Sequence, residues 1–244
     1  MIPKLELQNI INKYYLNGLI ESTKWDIKDR QLNIKFTAPT REMIGEINHL
    51  NFDLEKSSIG INNTSQLLKL INITNGDLLL TLIKTQKLII ADNQYTVNYT
   101  LADLQTIPKT GAYNGSEEYD LEIEIDKEII AALIKAKSAL DDSNTVLIKP
   151  FISLDGNSLQ LELIFGGDIE YSNKVSYFLT NVFQNKNTPQ DFSIGFNSDI
   201  LKEILVANKE SDKAKIYINL EGLIKFEFES PNLKTKYYLV KKDV

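Results

Sequence analysis

The chain has 244 residues, 43% hydrophobic and 25% charged, which is ordinary for a globular protein and enough for one or two buried cores. It contains no Cys, which excludes disulfides, thiolate zinc sites and cysteine nucleophiles together. The net charge of −6, with Arg30 and Arg41 the only arginines, argues against a protein that reads base sequence or coats nucleic acid by bulk charge.

In chain order, residues 5–16 fit a helix with Leu7, Ile10, Ile11, Tyr14 and Tyr15 inward, ended by Asn17-Gly18. Strands are expected over 19–27, 32–37 and 43–48, with Lys28-Asp29-Arg30 as a hairpin turn. Phe52-Asp53-Leu54 leads to a helix start at Asn62-Asn63-Thr64, followed by Leu67, Leu68 and Ile71 on one face. After the turn Asn75-Gly76, strands follow at 78–83, 87–91 and 95–101. Residues 102–120 are irregular, with Pro108, Gly111, Asn114-Gly115 and Glu117-Glu118, the chemistry of a connecting segment.

A strand at 121–125 then leads to Asp126, which caps a helix carrying Ile129, Ile130, Leu133 and Leu140 inward. Strands at 145–154 and 158–165 are joined by Asp155-Gly156-Asn157, a hairpin signal, and a further strand covers about 169–182 before a loop over 184–190. Residues 191–196 alternate Phe192, Ile194 and Phe196 with Ser193 and Gly195. Asn197-Ser198-Asp199 starts a helix with Ile200, Leu201, Ile204 and Leu205 on one face, which closes at 208–212. Strands at 216–220, 223–228 and 236–240 end the chain, separated by turns at Glu221-Gly222 and Ser230-Pro231-Asn232.

The unit over 52–101 recurs over 191–240: a helix behind an Asn cap, then three strands, the last opened by Tyr95 or Tyr237. A repeat of roughly 140 residues is too long for a solenoid and fits two homologous domains. The expected division is 1–103 and 121–244, with 104–120 connecting them. Without alternating βαβ crossovers, the fold class is α+β, each domain having two helices packed on antiparallel sheets.

No constellation meets the needs of acid–base or nucleophilic catalysis, so no enzyme and no cofactor are expected. His49, the only His, has no triad partners, and Gly166-Gly167 lacks the Lys-Ser/Thr of a phosphate loop. Glu122, Glu124 and Asp126 line one side of a strand and a helix cap, whereas a metal needs them to converge. Asp141-Asp142 reads as a solvated turn, and Asp155-Gly156-Asn157 lacks the acidic positions of a calcium loop. The longest apolar runs, such as 129–134, are too short to span a bilayer, and Met1-Ile2-Pro3-Lys4 opens no secretory pattern, so an intracellular protein is expected.

The helices are more informative. Their polar faces carry Lys13, Lys69, Lys127, Lys135, Lys137, Lys202 and Lys209, while Glu122, Glu124, Glu162, Glu227 and Glu229 lie on strand faces. For one helix alone a solvated face explains this; across all four it reads as a positive helix side and a negative sheet side.

Taken with this repeat, Trp25-Asp26-Ile27, Asn62-Asn63-Thr64-Ser65, residues 87–92, Ile107-Pro108 and Lys236-Tyr237-Tyr238-Leu239 give an order and spacing that resembles the DNA sliding clamps. These are the processivity factors of replicative polymerases. The nearest resemblance is to the two-domain clamps, those of T-even-type bacteriophages and proliferating cell nuclear antigen. The resemblance implies a homotrimeric ring around duplex DNA, helices inside and sheets outside. It implies DNA contact without sequence specificity through Lys13, Lys69, Lys135, Lys202 and Lys209. A pocket for peptide tails of the polymerase and other partners would use Ile107, Pro108, Leu223, Tyr238 and Leu239. Subunits would join edge to edge through Tyr95, Val97 and Tyr99 of one chain and Val175, Tyr177 and Leu179 of the next. Partners would be duplex DNA, the replicative polymerase and a clamp loader. The Lys/Asn/Ile-rich composition fits an AT-rich genome such as a bacteriophage's, which would place the protein in the cytoplasm of an infected bacterium. Alternatives are a monomeric processivity factor of the same fold, held to DNA by charge, and a virion structural or assembly protein. A metal-dependent hydrolase using Glu122, Glu124 and Asp126 is a further alternative.

Overall fold

A computed structural model describes residues 1–111, 113–152, 159–166, 172–185, 189 and 191–242. The chain forms two units: residues 1–112 with 230–235, and residues 113–229 with 236–244. The dividing point falls inside the segment 104–120.

The first unit contains β1 (Ile2–Pro3), α1 (Lys4–Tyr15), β2 (Thr23–Lys28), β3 (Gln31–Thr37), β4 (Met43–Leu50), β5 (Ser57–Ile61), α2 (Thr64–Asn72), β6 (Asp77–Ile83), β7 (Lys87–Ala91) and β8 (Thr96–Thr100). One antiparallel sheet runs β1-β6-β7-β8, and a second row of strands runs β4-β3-β2-β5. α1 ends where Leu16, Asn17 and Gly18 take three successive left-handed conformations, turning the chain back toward β2. α2 is capped by Asn63, whose Oδ1 accepts from the Gln66 amide at 2.9 Å. Lys4 Nζ donates to the Asn72 and Thr74 carbonyls, filling acceptors at the end of α2. The β2–β3 hairpin turns on Asp29 and Arg30, both at positive φ, as a two-residue type I′ turn requires. Tyr14, Trp25, Phe36 and Phe52 form the aromatic centre of the core, Trp25 meeting Tyr14 and Phe52 edge-on at 6.4 and 6.0 Å. Each such buried side chain contributes about 1.5–3 kcal/mol of transfer free energy.

The second unit contains β9 (Leu121–Ile125), α3 (Lys127–Ser138), β10 (Thr145–Ile152), β11 (Leu159–Phe165), β12 (Val175–Leu179), β13 (Val182–Gln184), β14 (Ile194–Asn197), α4 (Ser198–Ala207), β15 (Ala214–Asn219), β16 (Leu223–Ser230) and β17 (Leu233–Val240). One sheet runs β12-β11-β10-β14, and the other strands run β13-β9-β15-β16-β17. Leaving out β13, this repeats the first unit element for element: β9, β15, β16 and β17 take the places of β1, β6, β7 and β8. The Asp126 carboxylate caps α3 through the Ile129 amide, and the Asn197 side chain caps α4 through Asp199 and Ile200.

The structure corrects several sequence expectations. β5 went unread because Ser57-Ser58-Ile59-Gly60-Ile61 alternates poorly. Gly60 pairs with Ala102, and a Cβ there would lie 2.7 Å from the Ala102 carbonyl oxygen. Residues 19–22 are not part of β2, because the helix exit consumes them. The strand expected over 169–182 is β12 and β13, since the chain leaves β11 to pair with β9. Tyr237 does not open a strand: β17 begins at Leu233, leaving Tyr237 fully buried in its middle, where its hydroxyl accepts from Asn208 Nδ2 at 3.1 Å. Tyr95 stands just before β8 and is exposed. The expected turn Asp155-Gly156-Asn157, Gly167, residues 169–171 of the expected strand, and 186–188 and 190 of the expected loop lie outside the described residues.

Candidate nucleic-acid and partner interfaces

Of the five helix lysines, Lys69 on α2, Lys135 on α3 and Lys209 just past α4 are exposed. Lys13 is buried in α1. Lys202 is partly covered and lies 3.5 Å from Asp141. Lys137, two residues from Lys135, is buried and paired with Asp199 at 2.9 Å. The helical period explains the difference, since one residue of such a pair turns to solvent while the other packs.

The strand faces are mixed in sign, not uniformly negative. Lys215 bridges Glu122 at 2.6 Å and Glu124 at 3.7 Å, while Lys225 and Lys236 hold Glu227 at 2.9 and 3.3 Å. Burial alone would raise the Glu227 carboxyl, but these two ammonium groups bring it below the ordinary range. Asp126 is taken up by its cap, and no three acidic or His side chains among the described residues come together to hold a metal. His49 is buried, with Nε2 2.7 Å from Glu6 Oε1 and its ring edge-on to Phe52.

The two strands expected to join subunits are both sheet edges. β8 ends the row β1-β6-β7-β8, and β12 ends the row β12-β11-β10-β14. On β8, Val97 and Tyr99 face the core, and the Tyr99 hydroxyl donates to the Asn63 carbonyl. On β12, Val175 and Tyr177 are half-buried and Leu179 is buried.

The expected pocket residues divide between the units. In the first, Ile107 is buried and, with Pro108, lines a cleft of about 460 Å³ against Lys24, Asn33 and Lys35. In the second, Leu223 and Tyr238 sit together with Tyr119, and Tyr113 and Tyr217 pack around them. Leu239 points to the opposite side of β17, into the core among Ile123, Leu201 and Phe226. Sequence reasoning missed Tyr113, Tyr119 and Lys225. The signal was available: Tyr113 and Tyr119 flank the polar run 114–118 of the connecting segment. The Lys225 ammonium lies over the Tyr217 and Tyr119 rings, 4.2 and 4.6 Å from their centroids, and Glu117 approaches it at 3.5 Å. The Tyr119 hydroxyl is buried without a hydrogen-bond partner among the described residues, which costs about 1–3 kcal/mol. Burial, reinforced by the Glu117 charge, drives its phenol pKa upward.

No protein-family model and no curated protein matches the chain. Solved structures do. Proliferating cellular nuclear antigen from Entamoeba histolytica is 17% identical, with a TM-score of 0.78 over 99% of this chain and 96% of that one. A. fulgidus PCNA, in a structure with the C-terminal region of FEN-1, is 16% identical, with a TM-score of 0.76 over 100% and 97%. A PCNA2–PCNA3 complex from Sulfolobus tokodaii gives 14% identity and a TM-score of 0.76 over 99% and 98%. Agreement at such low identity is agreement of fold, and the fold of this chain is the DNA sliding-clamp fold in its two-domain, PCNA-like form.

Proposed function

We propose that this chain is a subunit of a sliding clamp that encircles duplex DNA and tethers a replicative polymerase. The observation that carries this reading is the correspondence of its entire length with PCNA structures, both units included. The subunits associate head to tail into a homotrimeric ring, β8 of one chain pairing with β12 of the next, so that both open sheet edges are closed. Lys69, Lys135 and Lys209 supply phosphate contacts without base readout, and Lys13 and Lys202 contribute less because they are buried or paired. So few available cations favour retention by encirclement over retention by charge.

One similar structure contains the C-terminal region of FEN-1 and another joins two clamp chains. By extension, this chain docks partner tails at the Leu223–Tyr238 face and associates with copies of itself, with a polymerase and a clamp loader as its replication partners. The role is that of a scaffold, not an enzyme. A bacteriophage with an AT-rich genome is the source that the Lys/Asn/Ile-rich composition fits. The test is retention on a nicked circular plasmid after gel filtration: the ring is retained and released on linearisation. Equal loss from circular and linear DNA overturns the reading.

A further inference from the structure

We infer that Tyr113 is an internal stand-in for a partner's aromatic side chain, so that the Leu223–Tyr238 face is self-occupied until a partner displaces it. This rests on the partner-docking reading above. The Tyr113 ring lies flat on Tyr238, with centroids 4.5 Å apart and planes 15° apart. It closes one side of the cluster formed by Tyr119, Leu223 and Tyr238. An offset aromatic pair of this kind is favourable but modest, strong enough to fill a groove and weak enough to be exchanged.

The backbone around Tyr113 is built for this placement and little else. Asn114 to Glu118 are exposed, and residues 113–119 lie outside every helix and strand. The Asp120 amide, next along the chain, bonds the Ile218 carbonyl of the sheet at 2.9 Å. The Tyr113 hydroxyl donates to the Ser116 carbonyl at 3.1 Å, folding the ring back over its own loop. Gly115 makes this possible: a Cβ there would lie 2.2 Å from the Tyr113 hydroxyl oxygen. Tyr238 is held from behind, its hydroxyl donating to Glu117 at 3.1 Å. Lifting Tyr113 therefore uncovers an oriented ring, an aliphatic floor at Leu223 and the nearby Tyr119 hydroxyl, which has no partner among the described residues, and residues 113–119 belong to no strand. The incoming group these surfaces fit is a tyrosine or phenylalanine side chain on a partner's extended tail.

The probe is the pentapeptide acetyl-Ala-Tyr-Asn-Gly-Ser-amide, titrated into tyrosine-labelled protein while the ring resonances of Tyr119 and Tyr217, present in every variant, are followed by NMR. Tyr113→Ala empties the groove, and Gly115→Ala evicts the ring while keeping it in the chain. Both are expected to bind the probe roughly three- to tenfold more tightly than wild type, because the internal competitor is gone. Tyr113→Phe stays close to wild type, and adding Tyr238→Ala removes the gain. Equal affinity in wild type, Tyr113→Ala and Gly115→Ala overturns the inference, as does a gain that survives Tyr238→Ala. The titration needs neither DNA nor a ring, so loss of the circular-DNA result would leave it standing, and its own failure would leave the clamp reading intact.

Discussion

Lys137 Nζ lies 2.9 Å from Asp199 Oδ1, fastening the last turn of α3 to the first turn of α4. The same ammonium donates to the Leu140 and Asp141 carbonyls at 3.2 and 3.1 Å, acceptors that the helix end leaves open. Asp199 is also well placed against the positive end of α4. Replacing Lys137 by Met is expected to destabilise the second unit by about 1–3 kcal/mol, since three acceptors lose one buried donor. Urea unfolding measures this. An unfolding midpoint equal to wild type would show that the clasp holds nothing.

Exposed lysines two residues or a domain away behave differently. Changing Lys69, Lys135 and Lys209 together to Glu leaves each unit's fold intact, because all three side chains are exposed. The expected result is loss of the salt-dependent attraction to duplex DNA and a fall in polymerase stimulation, while rings closed on circular DNA stay retained by encirclement. Lys13→Glu loses stability first, being buried, and so cannot report on DNA contact. Polymerase stimulation by the triple variant at wild-type level would remove these lysines from the DNA surface.

The sequence made the repeat legible because each Asn-capped helix is followed by three alternating strands, and the caps at Asn63 and Asn197 hold in the structure. Strand faces were less legible. Glu122 and Glu227 look like an acidic wall in one dimension, yet cross-strand pairing sets Lys215 opposite Glu124 and Glu227 and within reach of Glu122, and Lys225, two residues back on β16, pairs with Glu227. Tyr113 and Tyr119 could not be placed from periodicity, since irregular backbone gives none. Lys13 and Lys137 show the same limit on helices: both long cationic side chains are buried, Lys137 reaching the Leu140 and Asp141 carbonyls.

The edge strands carry a prediction about assembly. Tyr95 is exposed beside β8, and Tyr177 is half-buried on β12. Placing Lys at both sites puts charge on edges that the proposed ring must desolvate. Light scattering is expected to show the double variant as a monomer at concentrations where wild type is associated, with its secondary structure by circular dichroism unchanged. Association equal to wild type would move the interface elsewhere.

Glu227 ties acid sensitivity to the Lys225 cage. Its carboxyl is opposed by burial yet held below the ordinary value of 4.5 by Lys225 and Lys236. A group whose folded-state pKa is depressed stabilises the fold above its unfolded value and loses that contribution as pH falls through the folded value. The second unit is therefore expected to lose stability as pH drops below about 4.5, on protonation of Glu227. Glu227→Gln lowers stability at neutral pH by about 1–3 kcal/mol, because Lys225 is nearly inaccessible and, among the carboxylates of the described residues, keeps the more distant Glu117. The same variant flattens the acid limb of the stability profile. Thermal melts of both proteins between pH 3 and pH 7 separate the outcomes, the range spanning ordinary carboxylate titration. Parallel curves for wild type and Glu227→Gln would show that another carboxylate sets the acid limit.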